Sequence, residues 1–357
     1  MRRIFSVDWL VTHPTIAIGR RGVLGFGAAL ALQGCATLPA AQPSPVVAAG
    51  LEQRIDALAR GFDGKVGIAV EDVRTRAVVA WRGRRWFPQQ SVSKLWVALT
   101  VLDRADRQWL ALDEPVHITR ADMSVFNQPI QKLLGPDGYT ITIGDLLGWA
   151  ISRSDNAAND ILIRRVGGPA SVASVLADKD LPGLRASPEE HLLESRIAGL
   201  DWRPEYSFGQ AFWAARDKVD PALRARKLQR YVDDPQDGAT PKGIVRALGR
   251  LQRGELLSSA STAKFMALLA ATETGPQRLK AGLGPGWRIA HKTGTGQDLG
   301  DLTTGYNDVG LITAPNGEVY ALAVMIAETR RPVPERQALM AAVARAVVEA
   351  HEGVAGR

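Results

Sequence analysis

The chain has 357 residues, which is enough to bury a large core in one large domain or in two lobes. Its composition is that of a globular protein, with 46% hydrophobic and 23% charged residues. The net charge is +7, and loss of residues 1–35 would remove four arginines and one aspartate and leave +4. This mild positive charge, without runs of basic residues, gives no reason to expect nucleic acid as a partner.

Residues 1–35 have the pattern of an export signal. Arg20 and Arg21 precede an apolar stretch, 23–32, which is too short to span a bilayer but typical of a signal peptide. The paired arginines resemble a twin-arginine signal, and the sequence LQGC that ends at Cys35 resembles a lipobox. We therefore predict a signal peptide, lipid attachment at Cys35 and a periplasmic lipoprotein anchored in the outer membrane. A short buried helix is the alternative.

Cys35 is the only cysteine, so the body of the chain can form neither an internal disulfide nor a cysteine-based metal site. The histidines show no paired spacing that would suit metal ligands. We expect no metal and no cofactor. Residues 36–50 are rich in proline and alanine and predict a flexible linker.

Helix and strand patterns follow in a definite order. A helical pattern covers 51–61, and the patterns from Ser91 to about Ala270 are mostly helical. The chain ends in an amphipathic helix over 333–351, and Asn316-Gly317 predicts a hairpin. Strand patterns occur in four segments, 65–83 (two short strands), 286–294, 306–314 and 319–327.

Strands at both ends with helices between them predict an α/β (α+β) fold with one sheet and an inserted helical lobe. We expect the sheet lobe to contain 51–86 and 241–353 and the helical lobe to contain 87–240.

Three short polar motifs stand in order along the chain: SVSK at 91–94, SDN at 154–156 and KTG at 292–294. Each alone is a weak signal, because such short patterns arise by chance. Their structural alternatives are a helix N-cap, a capped loop and an exposed strand end. A serine nucleophile with its base is the chemical interpretation.

The ordered triplet resembles the class A serine β-lactamases, within the superfamily that includes the penicillin-binding proteins. The sequence around the motifs is similar as well, at 138–163, 166–176 and 237–241. The resemblance implies an antiparallel five-stranded sheet flanked by helices with an inserted all-helical lobe. It also implies a hydrolase that opens a β-lactam ring through an acyl-serine intermediate.

Ser91 and Lys94 are the expected nucleophile and base. A serine hydroxyl needs a base within hydrogen-bond reach, and Lys94 lies one helical turn away on the same face. Burial and neighbouring cations would disfavour the charge on Lys94 and allow it to take the Ser91 proton. The backbone N–H of Ser91 is also available to an oxyanion.

The resemblance implies roles for the other motif residues. Ser154 would relay a proton to the departing lactam nitrogen, and the backbone N–H of Thr295 would be the second oxyanion donor. The implied substrate-binding residues are Asn156 for the side-chain amide, Lys292 and Thr293 for the carboxylate, Gly294 in the same strand, and Phe126 at the entrance.

Class A enzymes deacylate with a glutamate on an Ω-shaped loop of pattern R-x-E-x-x-L-N, which corresponds here to 184–195. In this register Glu190 is the deacylating base, and the adjacent Glu189 is the alternative. Pro188 replaces the loop arginine, so an ion pair that fixes the loop is missing. Glu194 replaces the asparagine, and its charge is expected to leave less of the base ionised at neutral pH.

Residues 196–236 form a segment about thirty residues longer than class A enzymes usually have, with apolar residues at helical spacing. We predict one or two added helices. The aromatic residues of this segment are expected to pack in the core, with bracing of the active site as the alternative; they are Trp202, Tyr206, Phe208, Phe212 and Trp213.

These observations favour a monomeric β-lactamase that acts on small-molecule β-lactams and touches the membrane only through a lipid anchor. Two alternatives stay open: a penicillin-sensitive D-alanyl-D-alanine peptidase, which would be slow to deacylate, and a non-catalytic penicillin-binding module. Glu190 in register favours the β-lactamase, whereas Pro188 and Glu194 weaken that preference.

Overall fold

The computed structural model describes residues 45–355, with side chains from 50 to 353. The predicted signal peptide, Cys35 and the start of the linker lie outside these residues. Among the described helices, none combines the length and apolar character needed to cross a membrane.

An antiparallel sheet forms the centre of the fold, as predicted. Five strands follow the order β2-β1-β8-β7-β5, and a short β6 pairs with β7. Neighbours pair in antiparallel register, for example Lys292 with Val309 and Ala69 with Ala323. The strands are β1 (Lys65–Asp72), β2 (Val78–Trp81), β3 (Pro115–Ile118), β4 (Tyr139–Thr142), β5 (Arg288–Gly294), β6 (Asp298–Leu299), β7 (Leu302–Thr313) and β8 (Val319–Thr329).

Helices cover both faces of the sheet. Because neither face is open to water, β7 and β8 are buried almost throughout. β8 is a nearly continuous apolar run rather than an alternating one, whereas β7 also buries polar side chains such as Asn307 and Asp308. The helices are α1 (Pro45–Gly61), α2 (Lys94–Asp106), α3 (Ile143–Ser152), α4 (Asn156–Arg165), α5 (Pro169–Asp178), α6 (Glu190–Ala198), α7 (Ala211–Arg216), α8 (Pro221–Asp233), α9 (Pro241–Gln252), α10 (Ser259–Ala270) and α11 (Val333–Ala355).

Two apolar cores hold these layers together. On one face of the sheet, Ile55 of α1 and Val343 of α11 pack with Ile68 and Val324. On the other face, residues of α2, α9 and most of the helices of the inserted lobe form a larger core with Ala69, Ala323 and their neighbours. Burying one large aliphatic side chain contributes about 1.5–3 kcal/mol to the stability of the folded state. The buried aliphatic residues of the strands therefore stabilise the packing of helices on both faces of the sheet.

The inserted lobe is not all-helical, and that part of the prediction is wrong. Strands β3 and β4 pair in this lobe, with Val116 opposite Ile141. In β3 the buried residues Val116 and Ile118 alternate with exposed ones, because successive strand side chains point to opposite faces. This alternation is present in the sequence but is short enough to be missed among helices.

The predicted linker also ends too late, because α1 begins at Pro45 and the last six residues of 36–50 are helical. Proline fits the first position of a helix, where its missing N–H costs nothing, and two alanines follow in the first turn.

The segment 196–236, which we interpret as an insertion, contains the two helices α7 and α8 after the end of α6. Helix α8 starts where the Asp220 carboxylate accepts a hydrogen bond from the Leu223 N–H at 2.8 Å, with Pro221 at the first helical position. Its buried side chains Leu228 and Tyr231 pack against Leu193 of α6. The insertion is thus fixed directly against the helix that carries Glu190.

Candidate active site

Ser91 lies in a single 3-10 turn, Gln90–Ser93, that leads directly into α2. The N-cap position of α2 belongs to Ser93, and the hydroxyl of Ser93 donates to the Gln90 carbonyl at 2.8 Å. The Ser91 hydroxyl instead accepts a hydrogen bond from the Lys94 Nζ at 2.8 Å. Ser91 is therefore not the N-cap residue of α2, and its hydroxyl contacts the Lys94 side chain instead.

Lys94 is fully buried and connects three polar groups. Its Nζ donates to the Ser91 Oγ at 2.8 Å, to the Asn156 Oδ1 at 2.9 Å and to the Glu190 Oε1 at 2.5 Å. The candidates for the nucleophile, for substrate binding and for deacylation thus share one ammonium group. A lysine in this position can exchange protons with Ser91 on one side and Glu190 on the other.

The SDN motif joins α3 to α4 and directs two side chains into the cleft. Ser154 has a positive φ of 58°, which is uncommon for a residue with a side chain, and its Oγ accepts from the Lys292 Nζ at 2.8 Å. Asp155 caps α4 through the Ala158 N–H and also accepts from the Ile130 N–H. Burial raises the pKa of Asp155 to about 6.

Lys292 lies in β5 and is fully buried. Burial, followed by the positive charges of Lys94 and Arg278, holds the pKa of Lys292 well below its usual value. The hydroxyls of Thr293 and Thr274 lie 2.6 Å apart at the end of the strand. Lys292 and Thr293 therefore bring donors to the same end of the cleft.

Arg278 is a member of this end of the cleft that the sequence analysis missed. Its guanidinium donates to the carbonyls of Gly294 and Asn307 at 3.0 and 2.6 Å and to the Thr295 hydroxyl at 2.7 Å. The group also stacks on the Tyr306 ring, with Cζ 3.9 Å from the centroid. No local motif marks Arg278, because it reaches the cleft from the segment that precedes β5.

Glu190 is buried at the first position of α6 and lines the cleft with Ser91. Its backbone N–H donates to the Asp160 Oδ1 at 2.6 Å. The carboxylate of Glu189 pairs instead with Arg164 at 2.7 Å. Of the two candidate bases, Glu190 is the one in contact with Lys94.

Asp160 holds the start of α6 through hydrogen bonds to the residues around Glu190. Its Oδ2 accepts from the Ser124 hydroxyl at 2.7 Å and lies 2.8 Å from the His191 Nδ1. Asp160, His191 and Glu189 place possible ligand atoms within 4.8 Å of one another. Both Asp160 oxygens are already engaged in hydrogen bonds, which accounts for this cluster as a loop anchor.

Glu194 follows Glu190 by one turn of α6 and lines the same cleft. Its Oε2 accepts from the Gln297 Nε2 at 2.7 Å. Burial, with the Glu190 charge next, raises the pKa of Glu194 to about 8. Glu194 is therefore mainly protonated at pH 7 and does not place a full second charge beside the base.

Phe126 stands at the cleft wall with a positive φ of 61°. It packs edge-on against Phe212 at 4.8 Å between ring centroids and against Trp213 at 5.0 Å. Trp202 and Tyr206 complete this cluster, and Phe208 packs on the larger core. Of the aromatic residues of the insertion, Phe212 is buried, Trp202, Tyr206 and Phe208 are partly buried, and Trp213 stays exposed. Phe212 and Trp213 also contact Phe126 at the wall of the cleft.

The resulting cleft has a volume of about 290 Å³. Lys94 and Lys292 are buried beside it, and its lining residues are Gln90, Ser91, Phe126, Asn127, Ser154, Asn156, Glu190, Glu194, Thr274, Arg278, Thr293 and Thr295. The three motifs, the loop glutamate and Phe126 are brought together from segments up to 204 residues apart, Ser91 to Thr295.

Comparison with known proteins relates this geometry to a family. The model of the beta-lactamase enzyme family matches residues 50–351. The chain belongs to this family. It is a class A serine β-lactamase, a hydrolase of β-lactams and thus of the type that confers antibiotic resistance.

Individual relatives agree along almost their whole length. The extended-spectrum beta-lactamase PER-1 of Pseudomonas aeruginosa is 28% identical over 82% of this chain and 85% of its own. A beta-lactamase of Streptomyces fradiae is 30% identical over 95% of this chain and 98% of its own. The crystal structure of a beta-lactamase from Chitinophaga pinensis superposes with a TM-score of 0.70 at 26% identity and covers 84% of this chain and 99% of its own.

Proposed function

We propose that this β-lactamase acylates Ser91 and releases the product with a water molecule activated by Glu190. The observation that carries the proposal is the simultaneous contact of the Lys94 ammonium with Ser91, Asn156 and Glu190. Covalent catalysis by a serine requires a base within hydrogen-bond reach of its hydroxyl. Lys94 is in that position, and Glu190 is a second base that contacts the same lysine.

Acylation begins with proton transfer. Glu190 accepts a proton from Lys94, and Lys94 then takes the Ser91 proton as the Ser91 Oγ attacks the lactam carbonyl carbon. The C–N bond breaks, and the nitrogen takes a proton from the Ser154 hydroxyl, which Lys292 replenishes through its 2.8 Å hydrogen bond. The backbone N–H groups of Ser91 and Thr295 stabilise the oxyanion.

Substrate binding uses the two ends of the cleft. The substrate carboxylate binds at the end formed by Lys292, Thr293 and Arg278, where cationic and hydroxyl donors converge. Gly294 continues this strand edge. Asn156 binds the side-chain amide at the other end, and Phe126 forms the apolar wall there.

Deacylation needs a base and a held water molecule. Between the two steps Glu190 gives its proton to water in the cleft, and the Ser154–Lys292 pair takes one up. Glu190 then removes a proton from the water molecule that attacks the ester carbonyl. The bond between that carbon and the Ser91 Oγ breaks, and the Oγ takes the proton back from Glu190 through Lys94. Because protonated Glu194 can donate as well as accept, it takes the place of the loop asparagine beside that water.

The proposed cellular location is based on the sequence alone. Residues 1–35 act as a twin-arginine-type signal, Cys35 carries lipid, and the enzyme is a monomer held at the outer membrane on the periplasmic side. Labelling of cells with a radioactive fatty acid tests this: the wild-type protein takes up label, and the Cys35→Ala variant does not. Equal labelling of both would exclude Cys35.

Turnover of a chromogenic cephalosporin tests the catalytic proposal. Purified protein without residues 1–35 is expected to hydrolyse many equivalents, and Ser91→Ala is expected to abolish this. Glu189→Gln is the matched control for the loop, because its carboxylate contacts Arg164 rather than Lys94, and it should retain near wild-type turnover. Full activity of Ser91→Ala would exclude Ser91 as the nucleophile.

A further inference from the structure

One buried hydroxyl group, that of Tyr231, connects the inserted helix α8 to the residue that precedes Ser91. The Tyr231 hydroxyl donates to the Asp237 Oδ2 at 3.0 Å and accepts from the Gln90 Nε2 at 2.7 Å. The same Asp237 oxygen accepts from the Gln90 backbone N–H at 2.6 Å. Gln90 directly precedes Ser91, so this triangle of hydrogen bonds ends one peptide bond from the nucleophile.

Gln90 has an unfavourable backbone conformation. Its φ is 54°, in the left-handed region, which is strained for a residue with a side chain. Backbone strain of this kind persists where several contacts determine it together. At Gln90, one contact fixes the backbone N–H and another fixes the side-chain amide.

The sheet closes the other side of Gln90. A Cβ at Gly305 would come within 2.7 Å of the Gln90 Cγ, and a Cβ at Gly296 within 3.1 Å of its Cδ. Gly305 itself has a φ of 63°, so a side chain there would be strained as well. The Gln90 side chain therefore lies between the inserted helix and two glycines, Gly305 of β7 and Gly296, whose N–H donates to the Gly305 carbonyl.

Asp237 is fully buried, and its carboxylate is bound by a phenol and a backbone N–H rather than by an arginine. Burial raises the pKa of Asp237 to about 7, and its two hydrogen bonds act in the opposite direction. Both hydrogen bonds reach the same oxygen, Oδ2, while Oδ1 is buried without a partner among the described residues, so these two donors are the ones that hold the carboxyl group. Loss of the Tyr231 hydroxyl would leave both Asp237 and Gln90 with an unfilled hydrogen-bond position.

We infer that Tyr231 is a positioning residue for catalysis: the insertion uses its hydroxyl, together with Asp237, to hold Gln90 and thereby the Ser91 hydroxyl and backbone N–H in the reactive position. Tyr231 touches neither substrate nor Ser91. Its effect on the reaction passes through Gln90, which distinguishes this role from simple packing of α8 against α6.

The experiment is a double-mutant cycle between Tyr231→Phe and Gln90→Ala, measured by steady-state hydrolysis of a chromogenic cephalosporin. Tyr231→Phe is expected to lower kcat about tenfold, because small displacements of a nucleophile are costly. KM should change less than about twofold, since the groups proposed to bind the substrate are untouched. In the Gln90→Ala background the same change should have little further effect.

Tyr206→Phe is the matched control, because it removes a phenol from the same insertion at a site in the aromatic cluster. It should leave kcat unchanged. If Tyr231→Phe does not fold, as judged by its melting temperature, Gln90→Met tests the same contact, since Met has similar length but cannot donate to the phenol. A folded Tyr231→Phe or Gln90→Met enzyme with wild-type kcat would overturn the inference, and so would an equal loss in both backgrounds of the cycle.

Discussion

At the residue scale, the carboxyl group of Glu194 is expected to make the stability of the folded state depend on pH. Its pKa in the folded chain is about 8, compared with the usual 4.5, because it is buried beside Glu190. Between these values the folded state holds a proton that the unfolded state releases. The contribution of Glu194 to stability is therefore present below pH 4.5 and is lost as the pH rises through 8.

The variant Glu194→Gln removes this ionisation while it retains an oxygen acceptor for Gln297. We expect its melting temperature to fall less than that of the wild type when both are measured from pH 5 to pH 9. Parallel curves for the two proteins would show that Glu194 ionises in the folded state as it does in the unfolded chain.

Arg278 provides a second prediction at this scale. If its guanidinium helps bind the substrate carboxylate, Arg278→Ala should raise KM for benzylpenicillin about tenfold, as expected for the loss of one charge-assisted hydrogen bond. Lys280→Ala, which removes an exposed cation two residues later, is the control and should leave KM unchanged. Equal KM values for both variants and the wild type would exclude Arg278 from binding.

At the element scale, the insertion supports the cleft wall. Trp213→Ala removes the half-exposed ring that packs on Phe126 at 5.0 Å. We expect kcat/KM to fall severalfold for benzylpenicillin, whose aromatic side chain would face that wall, and to change little for 6-aminopenicillanic acid, which has no such side chain.

Trp109→Ala is the control for this substitution, since Trp109 is 66% exposed and outside the cleft lining. A uniform loss for both substrates would indicate damage to the fold rather than a wall that distinguishes side chains.

At this scale, some elements of the site could be predicted from the sequence and others could not. The helices around 91–94 and 154–156 and the strand of Lys292 follow from local pattern, because their polar residues are adjacent in sequence. Tyr231 and Arg278 carry no local signal, since each meets its partners only through tertiary packing. The pair β3–β4 was missed for a different reason: its period-2 pattern is only four residues long in each strand.

At the scale of the whole molecule, the sheet holds distant parts of the site together. The strand of Lys292 lies in the sheet, and Ser91 lies in the turn that leads into α2, whose apolar side also packs on that sheet. The order of motifs in the sequence indicated that these segments meet, but not the contacts of Lys94. The sequence analysis expected burial and neighbouring cations around this lysine; Lys94 is buried, and Lys292 is close enough for the two charges to interact. The hydrogen bonds of Lys94 to Ser91, Asn156 and the Glu190 carboxylate became visible only in the structure.

The mass of the intact enzyme after exposure to a β-lactam tests the central claim most directly. Glu190→Ala removes the proposed deacylating base, so the protein mixed with benzylpenicillin should gain the mass of one opened substrate. Proteolytic mapping should place this adduct on Ser91 and show that it persists for minutes or longer. Wild-type turnover by Glu190→Ala without a trapped adduct, or an adduct on another residue, would contradict the account.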